Sequence, residues 1–214
     1  MYVEPLLAGT FLVLAVICAL AVWYKVRQIR TIRAAWRAFA ASRGWSYAEP
    51  DRLIEVQGLH RGRQVSVATE RRGSGRFLNY VVVMRVDLSD VLPNHLHLES
   101  ERLRDVLHTW LGQPDEKVGD PALDSALHMK NVDPMVRTLL GEDPVREHLL
   151  RAHRAYTRIS LIGGLLEAEH PTVPAATFAM EEQLAPALAL ADVLETATVQ
   201  TAAPRTHGPQ RERG

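Results

Sequence analysis

Two histidines and a glutamate alternate along one stretch of the chain. His95, His97 and Glu99 are two residues apart, so on a strand their side chains project from one face. Two imidazoles and a carboxylate can hold zinc, and this set supports the hypothesis of a metal-dependent enzyme. Polar residues of this kind are also what a solvent-facing strand surface favours. Nothing else in the sequence adds to a metal site, so the prediction is that there is none.

Two further stretches invite a chemical interpretation. Residues 71–76, Arg-Arg-Gly-Ser-Gly-Arg, could cradle a phosphate, but they lack the spacing of a Walker loop or a dinucleotide fingerprint, and a hairpin tip accounts for them. Asp120 and Asp124 could form an acid–base pair, yet four residues apart and beside a proline they are typical caps and turn formers. No nucleophile elbow is present. The sequence therefore predicts a protein that is not an enzyme and needs no cofactor.

These candidates belong to a chain that begins with a long apolar segment. Residues 6–24 contain no charge and no proline over nineteen positions, the length that a helix needs to cross a bilayer. A helix in a soluble core rarely stays apolar on every face for so long. A cleaved signal peptide would need a basic start and a small-residue cleavage site, and neither is present. We therefore predict an uncleaved transmembrane helix.

Charge flanks this segment unevenly. Residues 1–5 carry one acid and no base, whereas many bases and no acid lie between the segment and Glu49. The positive-inside rule places residues 1–5 outside and the rest in the cytoplasm. Arginine greatly exceeds lysine, which is typical of a GC-rich bacterial genome, so the inner membrane is the expected location. We expect anionic lipid headgroups to contact a set of interfacial residues: Trp23, Tyr24, Lys25, Arg27, Arg30, Arg33 and Arg37.

Overall composition excludes several classes of protein. The 25 basic and 25 acidic residues balance, which gives no signature of nucleic-acid binding. The single cysteine, Cys18, lies in the apolar segment, so there is no intramolecular disulfide and no cysteine-based zinc site. About 190 residues follow the anchor, enough for one domain with a core.

The pattern after the anchor predicts an α+β domain. Residues 25–44 form a basic amphipathic helix, in which we expect Trp36 and Phe39 to pack on the domain. Residues 45–195 form the domain, and residues 196–214 a disordered tail. Alternation predicts an antiparallel meander over 45–47, 54–60, 64–69, 77–88 and 95–99.

Helices and strands mix in the second half of the domain. Three Asp-Pro pairs, at residues 120, 133 and 143, predict aspartate caps at helix starts. We expect helices over 134–140, 144–155 and 177–194, the last kinked at Pro186. We expect strands over 126–132, 156–162 and 165–169, with the last two joined by a tight turn at Gly163-Gly164.

Residues 118–169 carry a resemblance to known proteins. The matching positions are Gly119, Asp120, Pro121, Ala122, Leu123, Asp124, Met129, Asp133, Val136, Leu139, Leu140, Gly163 and Gly164. This stretch resembles a bacterial domain family of unknown function that often follows membrane-spanning helices, although that family usually has an aromatic residue where this chain has Leu123. The resemblance implies a membrane-tethered α+β domain and supplies no catalytic residue.

The function that we predict from the sequence is binding or scaffolding at the inner membrane, with a protein partner of unknown identity. The alternative is a membrane-tethered metal-dependent enzyme that uses the strand face of His95, His97 and Glu99. A third hypothesis is oligomerisation through Ala15 and Ala19, which are spaced as small residues are in packed membrane helices.

Overall fold

A computed structural model describes residues 3–73, 79–100 and 116–202. It has the predicted α+β class, with an N-terminal apolar helix and an antiparallel sheet. In chain order the elements are α1 (Val3–Arg43), β1 (Ser46–Ala48), β2 (Glu55–His60), β3 (Arg63–Arg72), β4 (Asn79–Asp87), β5 (His97–Ser100), α2 (Pro121–Ala126), β6 (Leu127–Lys130), α3 (Pro134–Gly141), α4 (Asp143–Ala155), β7 (Arg158–Ile162), β8 (Leu165–His170) and α5 (Thr177–Ala202).

The sheet has eight strands in the order β1-β2-β3-β4-β8-β7-β5-β6, and every neighbouring pair is antiparallel. The first four strands form the predicted meander. The prediction was wrong for the fifth, because β8 and β7 lie between β4 and β5. Strand β4 is nine residues long and lies inside the sheet, where the edge opposite β3 pairs with six residues of β8. The four-residue β5 is too short for that place.

The β7–β8 hairpin closes at Gly163-Gly164, as predicted. Both residues have positive φ, 61° and 76°, which a two-residue turn of this kind requires and which glycine adopts at no steric cost. At Gly164 the neighbouring chain also comes close, since a Cβ there would lie 2.6 Å from Ser89 Cα. This turn therefore fixes both the hairpin and its contact with the segment after β4.

All three Asp-Pro pairs lie at helix starts, and in two of them the aspartate is the N-cap residue, as predicted. Asp120 and Asp133 are the caps of α2 and α3, and their carboxylates accept backbone N–H bonds. The third prediction was wrong by one residue: Glu142 is the cap residue of α4, and Asp143 is already helical. In that position Asp143 places its charge in the first turn, where the helix dipole favours an anion.

Helix α5 spans the middle of the domain. It contacts β4 and β8 and packs against α1 and α4. It is longer than predicted, since residues 196–202, which we expected to be disordered, are helical. The reason is that the buried face continues past residue 194 to Ala197, which is 4% exposed. Residues 203–214 of the expected tail lie outside the described part.

The Tyr156 side chain bridges two backbone groups of α5 next to Pro186. Its hydroxyl donates to the Gln183 carbonyl at 2.6 Å and accepts from the Ala187 N–H at 3.0 Å. Those two groups would bond to each other in a regular helix, and a proline in the interior disturbs that ladder. Burial raises the pKa of Tyr156, so the phenol stays protonated and can donate. The hydroxyl thus ties the end of α4 to α5.

We expect Tyr156→Phe to lower the free energy of unfolding by about 1–3 kcal/mol, because it leaves a buried carbonyl and a buried N–H without their partner. Chemical denaturation of the full chain in detergent measures the loss. Tyr80→Phe is the matched control, since Tyr80 is half exposed. Equal free energies of unfolding for the two variants would show that the inserted hydroxyl contributes nothing.

Candidate membrane-interface site

Helix α1 is one unbroken helix with two different environments. Residues 12–31 are exposed throughout, whereas Trp36, Phe39 and Ala40 are almost fully buried in the core of the domain. Among the described residues, one helix is long and apolar enough to cross a membrane by length and composition; it is α1, in which an 18-residue stretch has a mean hydropathy of 1.7. The predicted apolar segment and basic amphipathic helix are therefore halves of a single element.

The buried half of α1 is fixed to the domain at several points. The Trp36 indole N–H donates to the Pro174 carbonyl at 3.1 Å. The Phe39 and Trp45 rings meet edge to face, with their centroids 5.7 Å apart. Arg43 pairs with Glu181 of α5 at 3.0 Å. These contacts confirm that Trp36 and Phe39 pack on the domain.

Trp45 continues this attachment onto the sheet. Its ring lies directly on β2 at Gly58, where a Cβ would be only 2.1 Å from the indole, and its N–H donates to the Leu59 carbonyl at 3.2 Å. Any larger residue at position 58 would displace the indole. The end of α1 is thereby held against the first strands as well as against α5.

Glu49 forms ion pairs with Arg33 and Arg37, two of the basic residues that we expected to contact lipid headgroups. Its carboxylate is 2.6 Å from Arg37 Nη2 and 3.2 Å from Arg33 Nε, and the Tyr47 hydroxyl donates to it at 2.6 Å. The Tyr47 hydrogen bond and the two arginines hold the pKa of Glu49 below its usual value. Burial, with Glu49 beside it, raises the pKa of Tyr47 to about 12. We call Glu49, Tyr47, Arg33 and Arg37 the Glu49 cluster.

The other predicted interfacial residues lie on the exposed half of α1. Trp23 and Tyr24 are 58% and 63% exposed, and the Arg27 guanidinium lies 5.4 Å from the centre of the Trp23 ring. Lys25 and Arg30 have no ion pair within the described ranges. The seven predicted residues thus divide into five along the exposed helix and two paired with the domain.

The proposed metal ligands do not share one strand face. Strand β5 begins at His97, so His95 lies in the preceding turn, with Nε2 3.4 Å from the Asp133 carboxylate. His97 Nε2 is 3.7 Å from Glu99, and Glu99 accepts a hydrogen bond from Arg158 at 2.6 Å. Over residues 3–73, 79–100 and 116–202, no three His, Cys, Asp or Glu side chains are grouped to hold a metal ion.

Asp120 and Asp124, the possible acid–base pair, have structural roles. Asp120 accepts from the backbone N–H groups of Ala122 and Leu123 and pairs with Arg146; the bond from Leu123 is the main reason that its pKa is lowered. Asp124 accepts from two backbone N–H groups of the loop before α2. The cap and turn prediction is confirmed. Most of the possible phosphate loop, residues 74–76, lies outside the described residues.

Comparison with known proteins gives one similar fold. The chain is similar to the crystal structure of the mycobacterial trehalose monomycolate transport factor A, with a TM-score of 0.50 over 77% of this chain and 95% of that chain. The two proteins share a fold. Their sequences are 14% identical, so the similarity extends to the fold alone. No protein-family model matches the chain, and no curated protein matches its sequence.

Sequence reasoning missed the partner of the basic helix. Glu49 and Tyr47 join the site through the β1 strand and the turn after it, and neither belongs to a motif. One signal was present: Glu49 is the first acid after a run of bases, and a lone acid there is a natural partner for them. The basic residues were assigned to lipid because their nearest oppositely charged neighbour lies on another element.

We expect the stability that Glu49 contributes to depend on pH. Because its folded pKa is below the usual 4.5, its contribution is complete above that pH and is lost as the pH falls through the lowered value. Glu49→Gln should therefore melt at a lower temperature than the wild type at pH 7, and the difference should narrow below pH 4.5. Glu182→Gln, at an exposed position on α5, is the control. A gap that stays constant from pH 7 to pH 3 would contradict the ion-paired cluster.

Proposed function

We propose that this chain is a single-pass protein of a bacterial inner membrane, and that its cytoplasmic α+β domain is a non-catalytic binding or scaffolding module. The observation that carries the proposal is α1, in which an exposed apolar half continues without a break into a half buried in the domain. The nineteen uncharged residues of the predicted span, 6–24, correspond to about 28 Å of helix, close to the thickness of the hydrocarbon core.

The charge pattern supports the orientation. Bases follow the apolar segment and are absent before it, which favours a cytoplasmic domain. Two of those bases pair with Glu49, while Lys25, Arg27 and Arg30 remain along the exposed helix for anionic headgroups. The Glu49 cluster then marks the side of the domain that faces the bilayer.

The attachment of α1 supports a positioning role. Trp36 lies twelve residues after Tyr24, so a continuous helix holds the core of the domain about 18 Å from the expected interface. A domain held by a buried helix, rather than by a flexible tether, presents the same surface to the membrane at all times. That is what a scaffold for a membrane partner requires.

The similarity of fold is compatible with this role and gives no support for catalysis. A protein with the same fold is a transport factor for trehalose monomycolate, which is compatible with a domain that serves a membrane process by binding. The metal-dependent alternative loses support, because His95 pairs with Asp133 and Glu99 with Arg158 within the described part of the chain.

We expect cysteine labelling in spheroplasts to report the topology. In a Cys18→Ala background, Tyr2→Cys should react with a membrane-impermeant maleimide before lysis, whereas Ser125→Cys, at an exposed site of α2, should react only after lysis. The reverse pattern would contradict the orientation, and labelling of both sites before lysis would contradict a span.

We expect a protein partner to bind through the domain. Three tagged chains are captured from chemically crosslinked membranes. The first is the full chain, the second has residues 6–22 replaced by an unrelated membrane span, and the third is truncated after residue 44. One partner enriched by the first two chains and lost with the third supports a binding domain. Equal capture by the truncated chain, or no partner with any chain, would contradict it.

A further inference from the structure

An apolar pocket lies between α1 and the sheet, just where α1 enters the domain. Its volume is about 380 Å³, within the range of small-molecule sites. Its apolar walls come from α1, β4, the loop before β2 and the loop before α5, through Ile29, Ile32, Ile54, Tyr80 and Val173. We call this the α1 pocket.

Arginines are the charged residues of the α1 pocket. Arg33 belongs to the Glu49 cluster and is therefore neutralised in part. Arg52 is exposed and has no ion pair within the described ranges. An unpaired guanidinium beside an apolar cavity suits a ligand with an anionic head and a hydrocarbon chain.

The backbone that presents Arg52 is strained. Asp51 and Arg52 both have positive φ, 48° and 67°, although neither is glycine. Such residues cost on the order of 1–3 kcal/mol each and cluster at ligand sites. The turn is closed by the Leu53 N–H, which donates to the Pro50 carbonyl at 2.8 Å. This strained turn places the Arg52 guanidinium at the pocket.

The position of the α1 pocket points to the source of the ligand. Ile29 lies five residues after Tyr24 on the same helix, about 8 Å from the expected interface, and is 48% exposed. The apolar face of the helix therefore runs continuously from the exposed segment into the pocket. A hydrocarbon chain can follow that face with little exposure to water.

We propose that the α1 pocket binds an acyl chain of an anionic phospholipid from the bilayer that α1 spans, with the lipid phosphate on Arg52. This rests on the proposed function, because it requires α1 to be in the membrane. The apolar path along α1 and the unpaired cation beside it suit a lipid, which has a hydrocarbon chain and an anionic head, better than they suit a docked protein helix. The bound lipid would fix the distance between the domain and the membrane surface.

The test is photolabelling of the full chain in lipid nanodiscs. The probe is phosphatidylglycerol with a diazirine near the end of one acyl chain, and the adducts are mapped by peptide mass spectrometry. We expect adducts in peptides that contain Tyr80 and Val173, in addition to adducts in residues 6–24. Adducts confined to residues 6–24 would overturn the pocket and leave the anchor intact. Adducts absent from residues 6–24 would overturn the proposed function itself.

Lipid charge and residue charge are tested separately. The same diazirine chain on phosphatidylcholine should label the Tyr80 and Val173 peptides several-fold less, and equal labelling would overturn the role of the anionic head. Arg52→Gln should reduce phosphatidylglycerol labelling there about tenfold, the effect of losing one bond to a charged group. Arg137→Gln, an exposed arginine on α3, is the matched control and should leave labelling unchanged. Equal losses in the two variants would overturn the assignment to Arg52.

Filling the cavity tests the pocket independently of charge. Ile32→Trp should abolish labelling of the Tyr80 and Val173 peptides while residues 6–24 stay labelled. Val173→Phe is a second filling variant from another wall, in case the first lowers the melting temperature of the domain. Undiminished labelling in a folded filling variant would overturn the proposal.

Discussion

The burial of Trp36, Phe39 and Ala40 is the constraint on which the rest of the molecule depends. These residues belong to the same helix as the exposed and mostly apolar residues 12–31, so one helix lies in two different environments along its length. Deleting a buried aromatic side chain typically costs about 3–5 kcal/mol, a large share of the stability of a domain. Helix α1 is therefore part of the folded core and cannot detach as a free tether.

Other features of the fold follow from fixing α1 in this way. Helix α5 lies beside α1 and across β4 and β8, and Tyr156 joins it to the end of α4. The β2–β3 hairpin reaches α5 through Arg63 and Glu195, whose side chains meet at 2.5 Å. The elements around α1 are thus tied to one another by buried apolar contacts and by charged pairs at their rims.

Local sequence signals predicted most individual elements, because their causes are local. Asp133 and Pro134 define a helix start, and the paired glycines 163 and 164 define a hairpin, whatever surrounds them. The order of the strands was not predicted, since the pairing of β4 with β8 joins residues about 80 positions apart. The end of α5 was missed for a related reason: its threonines indicate a weak helix, but burial of Leu194 and Ala197 outweighs that preference. The interfacial residues of the site could be predicted from the sequence. Glu49 and Arg52 could not be connected to them without the fold.

Hydrogen–deuterium exchange of the full chain in lipid nanodiscs tests the central claim most directly. If α1 is one helix that joins the membrane to the core, the amides of residues 25–35 are protected from exchange throughout, because their backbone hydrogen bonds are continuous. Fast exchange over residues 25–31, with protection on either side, would show two helices joined by a flexible segment. That result would contradict a rigidly positioned domain.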